Sequence, residues 1–83
     1  MLAKGFHEER YRRLVAQLVE RRRALGRTQT AIARVLGTHQ QFVSRYETGE
    51  RRLDVIEFWD VAEALELDPV ALLLGINERP KEG

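Results

Sequence analysis

Apolar side chains recur at intervals of three and four residues along most of the chain, as on the buried face of an α-helix. No stretch alternates apolar and polar residues in the manner of a β-strand. Leu14, Leu18 and Leu25 have this helical spacing, and they predict a first helix over about residues 8–25 that ends at Gly26. The pattern therefore predicts an all-α protein.

Capping residues and glycines divide the rest of the chain into four shorter helices. Thr28 is a candidate N-cap for the second helix, and Gly37 is expected in the left-handed conformation that only glycine adopts cheaply. Thr38 and Gln41 have the spacing of a capping box for the third helix. The four predicted helices cover about residues 29–36, residues 38–47 before Gly49, residues 54–65 behind the cap Asp54, and a last helix that starts at Asp68-Pro69 and ends at Gly75.

Length and composition bound the function. The chain has 83 residues, 43% hydrophobic and 33% charged, which is typical of one small globular domain. It has no cysteine, which excludes disulfides and thiolate metal sites, and its two histidines, His7 and His39, lie far apart. We expect no metal and no cofactor, because no ligand spacing, nucleotide-binding fingerprint or catalytic triad occurs. The absence of a long apolar run and of a signal-peptide pattern leads us to expect a cytoplasmic protein with no membrane partner.

The net charge of +1 conceals a division between the two parts of the chain. Residues 1–52 carry 12 basic and five acidic residues, a net charge of +7, and residues 53–83 carry two basic and eight acidic residues, a net charge of −6. Nearly all of the basic residues are arginine, whose planar guanidinium matches phosphate and base edges. The charge division favours a polyanionic partner for the first part, although solvated helix faces explain a charge run about as well.

The second and third predicted helices, joined at Gly37, have the layout of a helix-turn-helix. Ala33 is small where the two helices must approach each other, and Ile32, Leu36 and Val43 are candidates for the small core between them. The outer side of the third helix carries groups that read base edges, since glutamine can pair with adenine and arginine with guanine. These groups belong to Gln40, Gln41, Ser44 and Arg45.

The stretch from Thr28 to Gly49 resembles the DNA-binding domain of the Cro/phage-repressor (Xre-type) family. The family pattern is TQ, then LA, LG, a glutamine, VS, an aromatic residue and E-x-G, and Ile32 takes the leucine position here. The resemblance covers about residues 14–74. It implies a five-helix, lambda-repressor-like fold over residues 1–75, with an N-terminal arm over residues 1–7 and a flexible tail over residues 76–83.

The resemblance also implies roles for individual residues. Gln29 matches a glutamine that binds a backbone phosphate and braces the first base-reading side chain. Arg51 and Arg52 lie where the family's loop meets phosphates or the minor groove, and such contacts are blind to sequence. The predicted DNA-contacting residues are Thr28, Gln29, Thr38, His39, Gln40, Gln41, Ser44, Arg45, Thr48, Arg51 and Arg52.

Some residues depart from the family pattern or have an alternative interpretation. Arg21 and Arg27 replace common apolar residues, and we expect Leu25 to fill the space they leave. We expect Phe42 to pack under its helix, although contact with a thymine methyl is the alternative. Tyr46 and Glu47 are expected to stabilise the fold. Phe58 and Trp59 are expected to serve the core or a dimer contact. A solvated face away from DNA is expected for Glu57, Asp60 and Glu63. At most two of Arg21, Arg22 and Arg23 are expected to act together on phosphate.

The leading hypothesis is a transcriptional regulator that binds an inverted-repeat operator in double-stranded DNA as a homodimer and represses by occupying it. The alternative is an antitoxin or adaptor whose main partner is a protein, with DNA binding secondary. An enzyme is disfavoured, since no nucleophile with a matching base and no paired carboxylates occur in the sequence. The fourth and fifth helices, with Trp59, Leu73 or Leu74, are the expected dimer surface.

Overall fold

The computed structural model describes the backbone of residues 4–76 and the side chains of residues 9–76. Within that part the chain is all-α, as predicted, with five helices and no strand. No helix there is long and apolar enough to cross a membrane. The helices are α1 (Lys4–Ala24), α2 (Gln29–Leu36), α3 (Gln40–Thr48), α4 (Val55–Ala64) and α5 (Pro69–Ile76).

The helix ends agree with the capping prediction at most positions. Thr28 caps α2 by accepting from the backbone N–H of Ala31 at 3.0 Å, and Asp54 caps α4 through a capping box with Glu57. Asp68 accepts from the backbone N–H of Val70 at 2.9 Å at the start of α5. Three local signals were therefore sufficient to locate three helix starts.

Two helix ends differ from the prediction. The first helix begins at Lys4 rather than Glu8, because helix extension does not require an apolar stripe. Residues 4–7 of the predicted arm are therefore helical. The last helix continues through Gly75 to Ile76, since a helix tolerates glycine in its last turn. Beyond Ile76, the predicted tail lies outside the described residues.

One apolar core joins all five helices. Its largest fully buried side chains include Leu18, Ile32, Val43, Tyr46 and Leu65. Leu25, Leu36 and Phe42 are partly buried and pack against this core, which agrees with the positions expected for them. The helix α1 contacts α3 and α5, while α4 contacts α2 and α5, so α2 and α3 are held between the two longer elements. The core therefore fixes the position of the short helix pair.

Arg21 and Arg27 bind the end of α4. The Arg21 Nε donates to the carbonyl of Leu65 at 3.0 Å, and the Arg27 Nη1 donates to the carbonyl of Ala64 at 3.3 Å. The Arg27 Nη2 also pairs with Glu66 at 2.8 Å. Cations at a helix C-terminus are stabilised by its unpaired carbonyls and by the helix dipole. These two arginines thus replace apolar packing with polar contacts that join α1 and the following loop to α4.

The burial pattern of α2 generates a stability prediction. Ile32 is fully buried and Val35, on the same helix, is 64% exposed. We expect Ile32→Val to lower the free energy of unfolding by about 0.5–1.5 kcal/mol, because it leaves a small cavity. We expect Val35→Ala to change it by no more than about 0.5 kcal/mol. Urea denaturation followed by circular dichroism checks both values, and equal losses would contradict the packing described here.

Candidate nucleic-acid interface

The turn between α2 and α3 sets the direction of α3. Gly37 adopts the left-handed conformation at φ 73°, as predicted, and its N–H donates to the carbonyl of Arg34 at 3.2 Å. The N–H of Thr38 donates to the carbonyl of Ala33 at 2.9 Å. This pair of bonds is a Schellman motif, which ends a helix and redirects the chain sharply. Ala33 is buried against the neighbouring helix, so the small residue allows the close approach.

The N-cap of α3 is His39 and not Thr38, so the predicted Thr38–Gln41 capping box is wrong. His39 has extended backbone angles and makes no side-chain capping bond. The backbone N–H of Thr38 belongs to the Schellman turn of α2, and α3 begins one residue later than the box requires, so Thr38 lies outside the N-cap position. As a consequence Gln40 and Gln41 are the first two helical residues, and both side chains are exposed.

The predicted contact residues of α3 come together at its N-terminal end. Thr38, His39, Gln40, Gln41 and Arg45 are all exposed, while Ser44 is half-buried. One open groove is lined by Thr38, His39, Gln41, Phe42, Arg45 and Arg51. The first backbone N–H groups of a helix and its dipole favour a negative ligand at this end. The groove therefore combines a favourable field for phosphate with side chains able to contact bases.

A hydrogen-bonded chain runs from this exposed end into the protein. The Gln40 Nε2 donates to the Gln29 Oε1 at 2.6 Å, and the Gln29 Nε2 donates to the Glu47 Oε1 at 2.9 Å. The carboxylate of Glu47 also accepts from the Arg22 Nε at 2.7 Å and from the Arg22 Nη2 at 3.1 Å. The bracing of Gln40 by Gln29, implied by the family resemblance, is thus present as a direct contact.

The ion pair at the inner end of this chain is nearly buried. The side chains of Arg22 and Glu47 are 12% and 7% exposed, and the Arg22 Nη1 also donates to the carbonyl of Arg27 at 2.9 Å. The hydrogen bond that Arg22 donates to Glu47 raises the pKa of Arg22, and burial raises the pKa of Tyr46 beside it. Glu47 and Tyr46 are thus both held in contacts within the fold, and their expected contribution to stability stays a prediction. Arg21 and Arg22 are both hydrogen-bonded within the protein and Arg23 is exposed, so the expectation that at most two of the three act together on phosphate stays a prediction.

The two loop arginines differ in their surroundings. Arg51 donates to both carboxylate oxygens of Glu57, at 2.9 and 2.7 Å, and its guanidinium lies 4.8 Å from the ring centroid of Phe42. Arg52 is exposed, and its guanidinium lies 4.7 Å from the ring centroid of Tyr11. Arg51 is thus the more constrained of the two. Glu57, expected on a solvated face, is instead half-buried because it joins this ion pair and the α4 capping box.

The remaining predicted residues lie around the groove. Thr28 and Thr48 are exposed; the Thr28 hydroxyl caps α2, and the Thr48 hydroxyl donates to the carbonyl of Arg45 at 3.1 Å. Sequence reasoning missed Tyr11, whose hydroxyl accepts from the N–H of Leu53 at 3.0 Å and whose ring supports Arg52. A tyrosine at the polar start of α1 is the only signal for it. The described residues hold no group of three His, Asp or Glu suited to a metal ion.

Comparisons with known proteins agree with this geometry. The family model described as helix-turn-helix matches residues 18–72. A solved structure, an XRE-family like protein from Pseudomonas syringae pv. tomato str. DC3000, is similar to the chain with 48% identity and a TM-score of 0.85. The similarity covers 88% of this chain and 89% of that one. No curated protein sequence gives a match.

The contacts of Glu57 generate a pH prediction. The hydrogen bond from Arg51, followed by the backbone N–H of Asp54, lowers the pKa of Glu57. A carboxyl with a lowered folded-state pKa contributes stability that is present above its unfolded pKa, about 4.3, and is lost as the pH falls through the folded value. We expect Glu57→Gln to be less stable than the wild type at pH 7, with the difference shrinking below about pH 4.

Thermal unfolding measured across this pH range checks the expectation. Glu63→Gln is the matched control, because Glu63 lies on the same helix and is exposed. A pH-independent difference for Glu57→Gln, or an equal effect of Glu63→Gln, would contradict the assigned role of the Arg51–Glu57 pair.

Proposed function

Since the chain belongs to the helix-turn-helix family of DNA-binding transcription regulators, we propose that it recognises a specific sequence in duplex DNA through α3. The recognition unit in this proposal is a homodimer on an inverted repeat, with one α3 in each of two successive major grooves. Occupation of the operator then represses transcription. The proposed activity is binding alone, with no catalysed reaction.

The observation that carries the proposal is the exposed N-terminal end of α3. Gln40, Gln41 and Arg45 project from one short helix whose opposite side, at Val43 and Tyr46, is fully buried in the core. A major groove admits an α-helix, and N-terminal residues of recognition helices meet base edges. Arginine and glutamine are the side chains that distinguish guanine and adenine there. Their placement on a rigid helix supports readout of bases as well as of phosphates.

Apolar side chains that remain exposed support the binding of a second copy of the chain. The helices α4 and α5 contact each other, and together they expose Val55, Ile56, Trp59, Val70, Leu73 and Leu74. Large exposed apolar residues concentrated on neighbouring helices mark interaction surfaces. A dimer formed through this surface must place its two α3 helices about 34–36 Å apart to meet successive half-sites.

Selection from a random DNA pool, followed by fluorescence-anisotropy titration at two salt concentrations, tests the proposal. We expect enrichment of an inverted repeat and a specific affinity that persists at the higher salt, because base contacts release no additional counterions. Weak binding without enrichment, abolished by salt, would overturn it. That result would favour the alternative of an antitoxin or adaptor that uses the exposed α4 and α5 residues for a protein partner.

Mutation should distinguish an arginine that contacts bases from an arginine that contacts phosphates. We expect Arg45→Ala to weaken binding by about 1–3 kcal/mol and to relax the preference at one base pair, since Arg45 lines the groove beside α3. We expect Arg52→Ala to weaken binding equally on specific and random DNA and to reduce the salt slope by about one. Anisotropy titrations on both DNAs make the comparison. Equal loss on both DNAs for both variants would contradict the assigned roles.

The dimer surface has its own test. We expect Leu74→Ser to raise the dimer dissociation constant about tenfold or more, because each copy loses a leucine that the proposed dimer contact covers. Val35→Ser is the matched control, since Val35 is 64% exposed and Leu74 is 68% exposed, but Val35 lies on α2. Analytical ultracentrifugation measures both variants. A monomeric wild type, or equal weakening by the two substitutions, would contradict dimerisation through α5.

A further inference from the structure

Glu47 has no place among the DNA-contacting residues, yet it is hydrogen-bonded to one of them through a single intermediate. Gln29 lies between Glu47 and Gln40, with contacts of 2.9 and 2.6 Å on its two sides. The Glu47 side chain is only 7% exposed and lies against Arg22. It is therefore out of reach of a ligand in the groove, but coupled to the side chain that is exposed there.

The chemistry of the three groups allows only one direction of hydrogen bonding. A carboxylate paired with arginine is an acceptor only, so Gln29 must turn its NH₂ group toward Glu47. The carbonyl oxygen of Gln29 then faces Gln40, and Gln40 must turn its own NH₂ group inward. The amide oxygen of Gln40 is thereby left to face outward. The remaining N–H of the same NH₂ group stays available as a donor.

We propose that Glu47 determines which bases Gln40 accepts, by fixing the direction of the Gln29–Gln40 amide chain. This inference rests on the proposed function. An outward amide oxygen accepts from the exocyclic amino group of adenine or cytosine, and adenine also accepts the remaining N–H at its N7. Guanine and thymine present only acceptors in the major groove at this point and are disfavoured. Glu47 is thus a positioning residue for specificity.

Glu47→Met tests the proposal because it removes the acceptor that faces Gln29 and keeps a side chain of similar length. Without that acceptor nothing holds the NH₂ group of Gln29 inward, so Gln29 and Gln40 can take either amide orientation. We expect the preference for adenine or cytosine over guanine or thymine at the base pair read by Gln40 to fall by about tenfold, with other positions unchanged.

Arg22→Lys is the matched control. It weakens the same ion pair, since lysine lacks the planar fork that holds both oxygens, but it leaves Glu47 a carboxylate. We expect it to lower the melting temperature and to keep the base preference. Selection on the random pool with each protein, together with thermal melts, gives both readouts. The position read by Gln40 is the one whose preference Gln40→Ala abolishes.

The possible outcomes separate the two proposals. A wild type that enriches no sequence overturns the proposed function and this inference with it. A wild type that enriches a sequence but prefers guanine or thymine opposite Gln40 overturns the inference alone. An unchanged preference in Glu47→Met, or an equal loss of preference in Arg22→Lys, also overturns the inference alone.

A measurement without any substitution at Glu47 covers the case in which Glu47→Met fails to fold. Replacing the selected adenine by purine, which lacks the exocyclic amino group, should weaken wild-type binding about tenfold. The same replacement should have a much smaller effect on Gln29→Leu, whose Gln40 is free to present either end of its amide. Equal losses for the two proteins would overturn the role of the amide chain.

Discussion

The nearly buried Arg22–Glu47 ion pair is the contact on which the geometry of the interface depends. It joins the last turn of α1 to the last turn of α3, and its carboxylate also accepts a hydrogen bond from Gln29 at the start of α2. A buried pair adds little net stability, because desolvation offsets the attraction between the charges, but removal of one partner leaves the other charge uncompensated. Its contribution is therefore geometric: three helices meet at one carboxylate, and none of them can shift without breaking a charged hydrogen bond.

This constraint matters because α2 and α3 are short. Helices of 8 and 9 residues are not stable alone in water, so their positions are set by what packs against them. On the buried side of the two helices, the core fixes their positions through Ile32, Val43 and Tyr46. On the exposed side, the polar contacts of the amide chain from Gln40 to Glu47 fix them. A reading surface on so small a domain is rigid because both of its sides are held.

Local patterns in the sequence were enough to predict the helices and most caps, since a threonine or aspartate cap and a left-handed glycine act within a few residues of themselves. The same patterns placed Ala33 and the exposed glutamines of α3 correctly. They failed at the start of α3, where the Schellman turn extends through Thr38 and the helix begins after His39. They also could not assign Arg21 and Arg27, because a long guanidinium side chain reaches partners that are distant in sequence.

The contacts that such arginines make change what the uneven charge along the chain implies about DNA binding. A net charge of +7 over residues 1–52 suggests a broad phosphate-binding face. In the fold, however, Arg21, Arg22 and Arg27 are bonded to carbonyls or carboxylates of the protein itself. Arginines used in this way hold helices together and release few counterions on DNA. The electrostatic attraction to DNA must then come from the arginines that remain exposed, and Arg45 and Arg52 are placed at the groove and its adjoining loop. Affinity in such a domain therefore depends on a few well-positioned charges, and its specificity depends on the hydrogen-bond directions that the buried charges impose.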